Sequence, residues 1–152
     1  MSITLLIQDE KWRKARGLGA RLKRAAALAL TRGGADAGAS LTILLTGDKH
    51  VQALNLSFRG KDGPTNVLSF PATVNSGNYL GDVAVAHGVT VKEAKESGKS
   101  LVDHATHLAV HGVLHLVGFD HATARQAKVM ESLETEILKT LGIADPYRRK
   151  AA

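Results

Sequence analysis

The segment from Leu101 to Val117 constrains this chain more than any other. It is apolar nearly all round apart from its histidines. A helix of that composition has no face to give to solvent, so it is the buried central helix around which the rest must pack. Gly118 stands where such a helix has to end, because glycine takes the left-handed turn that closes one.

The elements that can cover this helix are legible by period and punctuation. Ser2–Gln8 and Ser40–Thr46 read as strands, the second rich in β-branched residues. Between them Trp12, Ala15, Leu18 or Gly19, Leu22, Ala25 and Ala29 recur at helical spacing, which predicts one continuous helix broken by the glycines after Arg32. Asp48–Ser57 predicts a short helix, and Phe58–Thr65 a polar loop. Asn66–Phe70 predicts a short strand stopped by Pro71, and Leu80–His87 another strand. Thr90 with Glu93 forms a capping-box pattern that opens a helix ending near Gly98. Thr123 with Gln126 forms a second such box, opening a last helix with Met130, Leu133, Ile137 and Leu141 inward. About four strands and about five helices without strict alternation predict an α+β fold with one mixed sheet, its helices mostly on one side. The length suits a single domain over residues 1–152.

There is no cysteine, which removes disulfides and thiolate metal sites and leaves His, Asp and Glu as possible ligands. The apolar stretch Ile3–Ile7 is too short for a signal-peptide core, and no run approaches the length of a membrane span. The expectation is a soluble, cytoplasmic protein. The net charge of +6 is unevenly placed. Lys11, Arg13, Lys14, Arg16, Arg21, Lys23, Arg24 and Arg32 lie in one stretch without an acidic residue, while residues 33–152 are balanced. Such a stripe is either a solvated helix face or an attractor of polyanions such as RNA, DNA or anionic lipid.

The chemistry-bearing segment is HLAVHGVLHLVGFDH, from His107 to His121. His111 and His115 are four apart, so on a helix their imidazoles leave one face, stacked one above the other. The turn at Gly118 lets His121 fold back as a third ligand. The spacing H-x-x-x-H-x-x-G-x-x-H is the skeleton of the metzincin zinc site. Three histidines leave a fourth tetrahedral position open, as catalytic rather than structural zinc requires. One zinc ion per chain is the expectation, although nickel, cobalt or iron also suit imidazole ligands. Proteases with this skeleton place a glutamate directly after the first histidine as general base, and here that position is Gly112. A protease mechanism of that type is therefore disfavoured. His107, one turn before His111, is placed to orient a ligand, whereas His104 is expected at the exposed start of the helix. Asp120 either orients His121 or belongs to the turn.

HGVLHLVGFDH, preceded by FRGKDGPTNVLSFP and LGDVAVAH, resembles the YbeY family. The resemblance runs from about Leu54 to Tyr147 and includes the late MESLE and GIADPY segments. It implies a zincin-like central helix and a single metal-dependent hydrolase domain. The implied activity is that of a bacterial metal-dependent, single-strand-specific endoribonuclease, acting in ribosomal RNA maturation and ribosome quality control. By the same resemblance His111, His115 and His121 are the metal ligands, and Arg59 and His115 are implicated in activity. Asn66 stands where the family usually has Asp. The implied partners are ribosomal RNA, the small ribosomal subunit with one of its proteins, and a GTPase, with neither DNA nor membrane expected. The other readings are a non-catalytic RNA-binding assembly factor with a structural metal, and a zinc hydrolase of other substrates. A plain RNA-binding module fits less well, since only 4% of residues are aromatic and no stacking platform is evident.

Overall fold

The computed structural model describes residues 1–73 and 77–147, so the last five residues of the expected 1–152 domain lie outside the described residues. The elements are β1 (Ser2–Ile7), a short 3₁₀ helix (Glu10–Lys14), α1 (Leu18–Arg32), β2 (Ser40–Thr46), α2 (Asp48–Arg59), β3 (Val67–Pro71), β4 (Tyr79–Ala86), α3 (His87–Glu96), α4 (Leu101–Val117) and α5 (Ala124–Thr140). The four strands form one sheet in the order β1-β2-β4-β3. β1 and β4 run parallel to β2, and β3 is antiparallel to β4, with Ser69 opposite Val83. The sheet is mixed and the class is α+β, as expected. No helix among the described residues is long and apolar enough to cross a membrane.

The alternation of side chains along the strands divides the apolar residues between two faces. Leu41, Ile43 and Leu45 of β2 and Val83 and Val85 of β4 join Leu22 and Leu30 of α1, Val110 and Leu114 of α4, and Ile137 of α5 in the main core. Ala84 and Ala86 of β4 and Leu68 of β3 face the other way, where they meet Val51 of α2 in a smaller cluster. α4 is the central element, with Ala105, Ala109, Val110, Val113 and Leu114 fully buried. Its start is capped by Ser100, whose side chain accepts from the Asp103 backbone N–H at 3.0 Å. Its end is closed by Gly118 at φ 118°, with the N–H groups of Gly118 and Phe119 returning to Leu114 O.

Two local expectations give way to tertiary structure. The first helical pattern is not continuous: Gly17, at φ 76°, separates the 3₁₀ helix from α1, and the break lets Trp12 sink to 1% exposure and donate from Nε1 to Thr46 O at 2.9 Å. The capping box at Thr90 and Glu93 does not form, because α3 starts at His87 directly from β4. Thr90 instead lies inside α3, its hydroxyl bonded to Ala86 O at 2.6 Å. The box at Thr123 and Gln126 forms as expected and opens α5.

Candidate metal centre

α4 brings His111 and His115 to one face over its last turns, and the glycine turn returns His121 to the same place. The ring centroids of His111 and His115 are 4.7 Å apart, those of His115 and His121 5.0 Å, and those of His111 and His121 5.6 Å. One ligand nitrogen from each lies within 4.8 Å of the others, so the three can hold one metal ion. Burial, followed by the neighbouring His111 and His121, lowers the pKa of His115, which favours the neutral imidazole that a metal ion needs.

Behind the triad stands Glu134 of α5, a fully buried residue that the sequence reading passed over. Its Oε1 lies 3.2 Å from His111 Nδ1 and 2.9 Å from His107 Nε2, and it accepts the Tyr147 hydroxyl at 3.0 Å. Burial alone would push this carboxyl up, but the hydrogen bonds from His107 and His111, with their charges, outweigh it and bring the pKa down to about 2. An ionised carboxylate only accepts, so His111 must carry its proton on Nδ1. Its Nε2 is then free to face a metal, the usual role of a carboxylate behind a metal-ligating histidine. This fixed tautomer, with an all-imidazole donor set, fits a divalent transition metal. Tyr147 is held as a neutral donor, its pKa raised by burial and by the adjacent Glu134 charge.

The wall opposite α4 is β3, an edge strand. Ser69 Oγ donates to Gly112 O at 2.8 Å and ties that strand to the helix beside the triad. The approach is so close that a Cβ on Gly112 would lie 2.5 Å from Val83 Cγ1 and 3.1 Å from Ser69 Oγ. The position that carries the glutamate base in proteases thus lacks room for any side chain.

Together these elements line a cleft of about 580 Å³, which includes Arg59, Asn66, Ser69, His107, Asp120 and Tyr147 as well as the three histidines. Arg59 is the last residue of α2 and is exposed at the cleft. His107 is where the expectation put it, beside the triad. His104 is not at an exposed helix start but 8% exposed, with Nε2 2.9 Å from Glu93 Oε1. The same carboxylate accepts from Asn66 Nδ2 at 3.0 Å, so Asn66 joins the cleft to α3 and α4. Asp120 accepts the His121 backbone N–H at 2.7 Å, shaping the turn. None of the eight basic residues between Lys11 and Arg32 lines the cleft. Arg32 pairs with Glu136, and Arg21 approaches Asp103 at 3.8 Å.

Comparison with known proteins places this arrangement among relatives. The chain matches the family described as Endoribonuclease YbeY over residues 6–142. It is 43% identical over 146 residues to a protein of that name from Maricaulis maris, covering 96% of this chain and 91% of that one. A protein of the same name from Chelativorans is 49% identical over 131 residues, covering 83% of this chain and 80% of the relative. A solution structure of a Thermotoga maritima protein shares the fold, with a TM-score of 0.56 at 21% identity over 97% of this chain and 99% of that one.

Proposed function

The chain belongs to the YbeY family of endoribonucleases, and from that membership we propose that it is a zinc-dependent endoribonuclease that cuts single-stranded ribosomal RNA during small-subunit maturation and quality control. The observation that carries this reading is the meeting of the His111, His115 and His121 cluster with Arg59 in one cleft. Residues 1–152 act as one hydrolase domain in this reading, with His115 and Arg59 as its catalytic residues.

His111, His115 and His121 would hold the zinc ion, which would supply Lewis acidity toward a phosphoryl oxygen and lower the pKa of a bound water. The chain's own residues supply orientation and charge. Glu134 fixes the His111 tautomer, and His107 and Tyr147 in turn hold Glu134. Arg59 places a permanent guanidinium at the cleft, where it neutralises charge that builds on the phosphate oxygens as the bond breaks. Gly112 leaves no carboxylate where proteases of this skeleton keep their base, and β3 closes in on that position, which disfavours peptide cleavage.

The test compares the purified protein with its His115→Ala variant for bound metal and for cutting of single-stranded ribosomal RNA. The expected result is one zinc per parent chain with cleavage, both lost in a variant whose circular dichroism is unchanged. Equal cleavage by both proteins would overturn the assignment. Loss of fold together with the metal would favour a structural ion in an assembly factor.

A further inference from the structure

Phe58 is 70% exposed, more than any other large hydrophobic side chain among the described residues. It does not stand alone: its ring meets that of Phe70 at 5.2 Å and 64°. Phe70 is half-buried in the smaller core cluster, so it anchors the pair while the Phe58 ring stays open to solvent. Both aromatics are flanked in the chain by residues of the cleft. Arg59 follows Phe58, and Ser69 and Pro71 bracket Phe70. Exposed Lys61 adds a second positive charge just beyond Arg59. Neither ring lines the cleft: the pair stands on the α2 side of β3, next in the chain to residues that do line it. An exposed aromatic beside cationic side chains is a pairing by which proteins hold single-stranded nucleic acid.

We propose that Phe58, backed by Phe70, is a stacking platform for the nucleobase next to the scissile phosphate. This rests on the nuclease reading above and adds to it how the strand is held. The backbone phosphate enters beside Arg59 while the neighbouring base leaves the cleft over the β3 edge and lies on the Phe58 ring. Stacking accepts any base, so the platform fixes position along the strand without reading sequence, and it requires an unpaired base. A duplex keeps its bases stacked internally and cannot use it.

The experiment uses the zinc-loaded protein, its Phe58→Ala and Phe58→Trp variants, and a short fluorescent single-stranded RNA. A second RNA carries one abasic ribose beside the cleavage point. On the intact RNA, Phe58→Ala is expected to raise KM by roughly 5- to 150-fold, the range that loss of one aromatic–base stack gives, with the loss in KM rather than kcat. On the abasic RNA the parent and Phe58→Ala converge. Phe58→Trp restores KM, and its new indole fluorescence is quenched when intact RNA binds. Equal KM for parent and Phe58→Ala, or an equal loss on both RNAs, overturns the platform and leaves the exposed ring to a protein partner. A parent that neither binds nor cuts either RNA overturns the nuclease reading itself, and the platform with it.

Discussion

Glu134 Oε1 lies 3.2 Å from His111 Nδ1, linking a fully buried carboxylate on α5 to the first histidine of the triad. The bond decides which nitrogen of His111 is offered to a metal, and so couples the packing of the last helix to the chemistry of the cleft.

Replacing Glu134 by Gln keeps the size but lets the residue donate as well as accept, so the tautomer is no longer enforced. Zinc affinity in competition with a chelator is expected to fall by about 10- to 100-fold, with cleavage at saturating zinc less affected. Glu134→Ala should be worse, because it strands His107 and the Tyr147 hydroxyl, and a drop of roughly 1–3 kcal/mol in unfolding free energy is expected. Unchanged zinc affinity in Glu134→Gln would show that His111 is oriented by something else.

Gly112→Ala tests the absence of space. In an open helix this change stabilises by helix propensity, but here the new Cβ meets Val83 at 2.5 Å. We expect a net loss of about 1–3 kcal/mol in chemical denaturation, as overpacked cores show. Gly112→Glu should not fold, so the protease base cannot be grafted in. A neutral or stabilising Gly112→Ala would mean that β4 yields more easily than its packing implies.

Arg59→Lys keeps one charge but loses the planar fork that grips a phosphate with two hydrogen bonds. Cleavage rate is expected to fall by about 10²-fold or more, with melting temperature and zinc content unchanged. Full activity in Arg59→Lys would reduce Arg59 to a general source of positive field.

Asn66→Asp introduces a charge in place of an amide at the cleft. It would set a carboxylate about 3 Å from that of Glu93, where now an amide donates. One of the two must take a proton or repel its neighbour, so the folded-state pKa of the pair rises. A raised carboxylate contributes its full stability at low pH and loses it as pH climbs through the folded value. The variant should therefore match the parent near pH 4 and fall roughly 1 kcal/mol or more below it at pH 8, read from urea midpoints. A constant difference across that range would show that the two carboxylates do not interact in the variant.

Features set by local period were legible in the sequence. The apolar surround of Leu101–Val117 demanded a central helix, and the spacing of His111, His115 and Gly118 set the triad before any strand order was known. Features that depend on partners far away in the chain stayed hidden. Glu134 sits among charged neighbours such as Glu131 and Glu136 and reads as a solvated helix face. One signal was available: it lies four after Met130 and three before Ile137, both buried, so it falls on the inward stripe. His104 looked terminal because Glu93, its partner, belongs to α3. Thr90 and Glu93 matched a capping box by spacing alone, yet Glu93 was committed to Asn66 and His104 instead. The Phe58 and Phe70 pair was invisible because a helix end and a strand twelve residues on meet only in the folded sheet.

The turn after α4 has a mechanical consequence. His111 and His115 ride on a rigid rod, whereas His121 stands on an exposed connector only two residues before the Thr123 cap of α5. An ion held by the three histidines would join the rod to this connector through a single centre, with the third ligand kept close because so little chain separates it from the rod. A bound ion would thus tie the connector to α4 and stiffen the joint between the last two helices, while the helices on either side owe their own order to packing.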